Sequence, residues 1–153
     1  MRLRRTCSGP VASNVKPLIN MSCDYGVWPA EPRRTDKEAG ALYAALCEGD
    51  TTGVASSPAI AAFYAELTAK HPEIDDVSED QLDDTDLCPW SCAFDRSEGH
   101  VIMCCVWSKA DYVGTHVQGL AFKHGLAFYD PQSDRVSYAA SAEVSRKPWW
   151  KIW

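Results

Sequence analysis

The apolar residues of this chain fall into a few short β-rich runs and three helical faces, and their order along the chain predicts the fold. The run Cys23-Asp24-Tyr25-Gly26-Val27-Trp28, closed by Pro29 and Pro32, reads as a first strand. Thr35 and Glu38 stand at capping-box spacing, in which each side chain satisfies an orphan amide at a helix start. Ala39, Leu42, Tyr43 and Leu46 follow at helical spacing, and Gly49 ends the run. A second helix opens at Ser57, with Pro58 in the first turn where its missing amide costs nothing. Its face is Ile60, Phe63, Tyr64 and Leu67, and His71-Pro72 stops it.

Residues 73–86 then hold eight acids and no base, a density that repels itself and predicts a solvated, unpacked loop. Beyond it, residues 90–95 and 100–107 read as two strands around the turn Arg96-Ser97-Glu98-Gly99. The second, HVIMCCVW, is apolar on both alternations, which marks a central strand covered on both faces. Ser108 and Asp111 repeat the capping spacing with a shorter acid, and Val113, His116, Val117, Leu120 and Ala121 form a third helical face. Gly125 supplies a left-handed stop, with Leu126 packing back on the last turn. Residues 126–129 are a strand, 130–134 a turn, and 135–138 its hairpin partner.

The resulting order, β-α-α-β-β-α-β-β, matches an α+β fold on a ferredoxin-like split βαβ plan: a mostly antiparallel sheet with helices on one face. The first strand and HVIMCCVW lie centrally in that plan. The sheet's other face then needs a cover, for which a dimer mate, the chain's tail or a bound protein are candidates. With 153 residues, one domain is expected, and no apolar run approaches the roughly 18 residues of a membrane span.

Charge changes the picture more than composition does. The net charge is −6, but residues 1–20 carry four bases and no acid, and residues 139–153 are net +2. Residues 21–138 therefore hold 8 basic and 20 acidic side chains, a net −12. Such a middle repels nucleic-acid phosphates and anionic lipid and attracts basic protein surfaces. Residues 1–20 lack the apolar stretch of a secretory signal and read as a flexible basic leader, 21–138 as the domain, and 139–153 as a basic tail. That tail carries Trp149, Trp150 and Trp153 beside Arg146, Lys147 and Lys151. It suits docking on the domain, on a partner or at a membrane interface, with the membrane the weakest of the three for so short a segment.

Seven cysteines (7, 23, 47, 88, 92, 104 and 105), an odd number with no signal peptide, read as reduced thiols in a cytoplasmic protein. Cys88 and Cys92 are spaced C-x3-C with His100 nearby, which suits neither a zinc finger nor a thioredoxin-type C-x2-C. Adjacent Cys104 and Cys105 point to opposite faces of a strand. No phosphate-binding loop, dinucleotide fingerprint, metalloprotease or esterase motif occurs, and the acidic run lacks the alternation of a calcium loop. No cofactor, metal ligand set or catalytic residue is therefore assigned.

The segments DYGVW followed by proline, FYAELTAKHP, VWS after the central strand, and KHGLAFYDPQ carry a resemblance over about residues 22–138. The chain resembles a group of small bacterial proteins, common in actinobacteria, that begin in this way and end near a GL..YDPQ hairpin. The resemblance places a fold and brings no established activity; small acidic proteins of this general kind include suspected immunity proteins of toxin systems.

Two functions are compatible with these features. The first is a non-enzymatic binding protein that captures a basic protein partner through Asp75, Asp76, Glu79, Asp80, Asp83, Asp84 and Asp86, with Trp90 as aromatic anchor, as an inhibitor or immunity-type protein does. The second is a small thiol-dependent enzyme or a redox or metal sensor using Cys88 and Cys92.

Overall fold

A computed structural model describes residues 22–139 of the chain. The leader and the three tail tryptophans lie outside the described residues.

Five strands form one antiparallel sheet in the order β2-β3-β1-β4-β5. β1 is Ser22–Pro29, β2 Asp95–Ser97, β3 His100–Val106, β4 Leu126–Asp130 and β5 Arg135–Ser137. Three helices accompany them: α1 (Asp36–Cys47), α2 (Pro58–Lys70) and α3 (Ala110–Lys123). The α+β class and the antiparallel sheet with β1 and β3 inside it are as expected.

Local signals acted as written in the sequence. The Thr35 hydroxyl accepts the Glu38 amide while the Glu38 carboxylate accepts the Thr35 amide, so two amides at the start of α1 are met. Ser57 accepts the Ala59 amide ahead of Pro58. Gly125 adopts φ +70, the left-handed conformation that a side chain would oppose. At the start of α3, by contrast, Ser108 does not cap. A 3₁₀ turn over Trp107–Lys109 feeds directly into the helix, and Lys109 occupies the cap position with no side-chain hydrogen bond.

The helices do not all lie on one face. Alternation along β1 sends Cys23, Tyr25 and Val27 to one side, where they meet Val101, Met103 and Phe128 and the apolar faces of α2 and α3. Trp28 goes to the other side and packs with Ile102, Ala127, Tyr129 and α1 through Leu42, Tyr43 and Leu46. α1 thus occupies much of the face that sequence reasoning left to a dimer mate, tail or partner. This also accounts for the double apolar alternation of β3.

The strand expected at residues 90–95 is reduced to one bridge, Trp90 opposite Cys105, flanked by the bonds Val106 N–H to Pro89 O (2.8 Å) and Ser91 N–H to Cys104 O (2.8 Å). The chain then bends at Ser91 and Cys92 and re-enters the sheet as β2, so Arg96 and Ser97 are strand and only Glu98 and Gly99 turn. This hairpin abuts the loop before α2: the Ser57 amide donates to Glu98 O (3.1 Å), and a Cβ at Gly99 would stand 2.6 Å from Ala55 O. Backbone cannot yield there as a side chain would. Gly99→Ala is expected to destabilise the domain by about 1–3 kcal/mol, measured as a lowered urea midpoint with unchanged slope.

Candidate functional site

The acidic segment is ordered at its ends and exposed in its middle. Glu73 accepts two hydrogen bonds through its carboxylate, from the Tyr64 hydroxyl and from the Phe94 amide (2.9 Å). Ile74 and Val77 pack against the core shared by β1, α2 and α3. Short 3₁₀ turns over Ile74–Asp76 and Glu79–Gln81 follow, the second closed by reciprocal Ser78 and Gln81 caps. The expectation of a wholly solvated loop is corrected by these few apolar and neutral anchors, which outweigh a repulsion that water and salt screen.

His71 ties down the far end. It is 4% exposed, with Nδ1 3.0 Å from Leu87 O and Nε2 2.9 Å from the Tyr112 hydroxyl. A carbonyl only accepts, so Nδ1 carries a hydrogen, and in the neutral ring Nε2 then accepts from the Tyr112 hydroxyl. The Trp90 indole donates to His71 O (3.0 Å), and Lys109 pairs with Asp86.

Asp75, Asp76, Glu79, Asp80, Asp83, Asp84 and Asp86 are all exposed. Asp84 is partly committed inward, accepting the Asp86 and Leu87 amides at 3.1 and 3.3 Å. The Lys109 ammonium beside Asp86 holds its carboxyl below the ordinary carboxylate range. Trp90, expected as the aromatic anchor, is 4% exposed and belongs to the core, where it meets Phe94 edge-on. It cannot reach a partner.

The large apolar side chains left exposed among the described residues are Leu82 (42%), Tyr112 (43%) and Trp107 (58%). Leu82 is within the acidic segment. Trp107 shares the 3₁₀ turn of Lys109, which holds Asp86, and Tyr112 holds His71, which holds Leu87. Trp107 and Tyr112 thus belong to the start of α3, the stretch whose Lys109 and Tyr112 tether the C-terminal end of the acidic segment that contains Leu82. Sequence reasoning missed Trp107 because the apolar run of β3 continues through it; the available signal was Ser108-Lys109, two polar residues that end the run.

Other constellations are less productive. Cys88 lies 1% exposed in the α2–α3 core, whereas Cys92 lies on the other side of β3, hydrogen-bonded to Cys104. The structure thus does not bring the Cys88 and Cys92 thiols together. Ser97 Oγ stands 2.6 Å from His100 Nδ1, and Asp95 lies 3.5 Å from Nε2, but the same hydroxyl accepts the Gly99 amide (3.1 Å) and serves the hairpin turn. A shallow depression of about 260 Å3 is lined among others by Tyr25, Asp111, Asp130, Ser133 and Arg135. No group of three or more His, Cys, Asp or Glu side chains among the described residues has metal-holding geometry. No described helix is long and apolar enough to cross a membrane. No family model, curated protein or solved structure matches the chain.

The His71 cluster makes two predictions. Tyr112→Phe leaves the buried His71 Nε2 without a donor and is expected to cost about 1–3 kcal/mol in urea unfolding. His116, 5.5 Å from His71, is held below its ordinary 6.5 by burial, then by Lys70 and His71, with Glu66 opposing. The unfolded chain therefore binds the proton first as pH falls, so this contribution is fully present above pH 6.5 and is lost on acidification below it. His116→Gln is expected to flatten the fall in melting temperature between neutral and mildly acid pH; an unchanged slope would contradict the assignment.

Proposed function

We propose that this is a non-enzymatic binding protein that presents an acidic, aromatic-bordered surface to a basic protein partner, as an inhibitor or immunity-type protein does. The observation that carries this reading is the coincidence of seven exposed carboxylates with Leu82, Trp107 and Tyr112, the large apolar side chains that the described fold leaves to solvent. Carboxylates steer a cationic partner and reject polyanions, while a half-exposed tryptophan supplies apolar area on desolvation. Trp107 takes the anchoring role first given to Trp90. The segment is fastened at Glu73, His71 and Asp86, so little order has to be gained at its ends on binding. The reading places the protein in the cytoplasm, where thiols such as these stay reduced.

The test uses the full chain as bait in a lysate, at low salt and at roughly 0.5 M salt, where screening shortens to a few ångströms. Changing Asp75, Asp76, Glu79, Asp80 and Asp83 to Asn or Gln is expected to abolish capture of the partner held at low salt. Trp107→Ala is expected to weaken the same complex about 30-fold or more, the effect of a hot spot worth roughly 2 kcal/mol. Identical partner lists for wild type and both variants would overturn the proposal. Asp84 and Asp86 are left unchanged because both support the local fold.

A further inference from the structure

A second cluster of reactive side chains lies on the other side of β3, away from the α2–α3 core. Strand alternation sends Cys105 into the core and Cys104 to the opposite face. Cys104 is 5% exposed; its Sγ is 2.9 Å from Ser91 Oγ, and its thiol also hydrogen-bonds with the Cys92 thiol and the Asp24 carboxylate. Backbone pairing holds this stretch beside β3: the Ser91 amide donates to Cys104 O at 2.8 Å, and the chain bends at Ser91 and Cys92. Cys92 is half-buried, so it is the member of the pair that solvent reaches.

We propose that Cys92 and Cys104 are a reversible thiol–disulfide couple that exchanges with low-molecular-weight disulfides, Cys92 as the entry thiol and Cys104 as the resolving thiol. The Cys92 thiolate attacks one sulfur of the small disulfide; that S–S bond breaks, and the departing thiolate takes a proton from water. The Cys104 sulfur then attacks Cys92 Sγ, the S–S bond of the mixed disulfide breaks, and the departing small thiolate takes up the Cys104 proton. Two protein thiols are oxidised and one small disulfide is reduced to two thiols. The other described cysteines fit bystander roles. Burial pushes the Cys23 and Cys88 thiols up, and Cys105 up to about 12. The Cys104 thiol is raised as well, first by its bond to Cys92 and then by burial and Asp24, so what distinguishes it from these three is its contact with Cys92 and not its acidity. Cys47 lies in the α1 cluster, which contains no other cysteine, and serves as an internal control.

The experiment treats the reduced full chain with oxidised glutathione, blocks remaining thiols by alkylation and maps peptides by mass spectrometry. The expected product is a Cys92–Cys104 cross-link, lighter by two hydrogens and reversed by dithiothreitol. Cys104→Ser is expected to arrest the reaction as a glutathione adduct on Cys92, and Cys92→Ser to leave Cys104 without an adduct; Cys88→Ser should change neither. A native circular dichroism spectrum is required of each variant, and the wild-type map decides the question if a variant does not fold. Absence of the Cys92–Cys104 cross-link, with Cys47 modified normally, would overturn the proposal.

Discussion

Everything in this fold is positioned by β1. It is paired along both edges, to β3 from Ser22 to Val27 and to β4 from Gly26 to Pro29, and it contributes to both cores. A slip of one residue would put Asp24 among Phe63, Val113 and Met103 and leave Tyr25 on the α1 side, an unpaired buried charge against a lost aromatic contact. Gly26 adds a second constraint. A Cβ there would stand 3.1 Å from the Trp28 ring and 3.3 Å from that of Tyr43, so both rings would have to give by a few tenths of an ångström to admit it. The register of one strand thus decides where two helices on one side and one on the other settle.

Much of this was legible in local chemistry. Thr35–Glu38, Ser57-Pro58 and Gly125 each specify a terminus through hydrogen bonds or backbone conformation within a few residues, so no distant information is needed. The side of the sheet that α1 takes is another matter. Helical periodicity tells which face of a helix is buried, not which of two sheet faces receives it; Leu42, Tyr43 and Leu46 suit either. The deciding hint lay in β3, apolar on both alternations, which demanded a second cover that α1 was available to give. Trp90 and Trp107 were exchanged for a related reason. Both flank apolar strand residues, and only the path of the chain, bending after one and turning into α3 at the other, decides which indole meets water.

The acidic segment shows how charge density misleads when read alone. Self-repulsion between exposed carboxylates is weak beyond a Debye length of about 8 Å at physiological salt. Against it stand Ile74, Val77 and the part-buried hydrogen bonds of Glu73 and His71, which act at contact distance and are screened less. Order therefore enters through the non-acidic residues and the first carboxylate of the run. Of the remaining carboxylates, Asp84 turns to two amides and Asp86 pairs with Lys109, while Asp75, Asp76, Glu79, Asp80 and Asp83 stay exposed between these anchors. The resulting field belongs to the surface rather than to the stability of the fold, which is why it is informative about a partner.

The stretch from Leu87 to Phe94 connects the two proposed activities. Its carbonyl at Leu87 is held by His71, its Cys88 and Trp90 side chains are in the core, its Cys92 thiol meets Cys104, and its Phe94 amide donates to Glu73. Because Glu73 and Leu87 bracket the acidic segment, that segment is a loop of chain closed at both ends on this one strap. The bonds that close the loop are made by Glu73, His71, Asp84 and Asp86, so a partner that meets Asp75, Asp76, Glu79, Asp80 and Asp83 leaves them in place. A disulfide between Cys92 and Cys104 would fasten the strap to β3 and remove the thiol hydrogen bond to Asp24, which lies outside the acidic segment. Any coupling between oxidation and docking then has to pass through the stiffness of the strap, and by linkage it must act equally in both directions. The thiols would be set to modulate the closing points of the loop, with the choice of partner left to its charge and to Trp107.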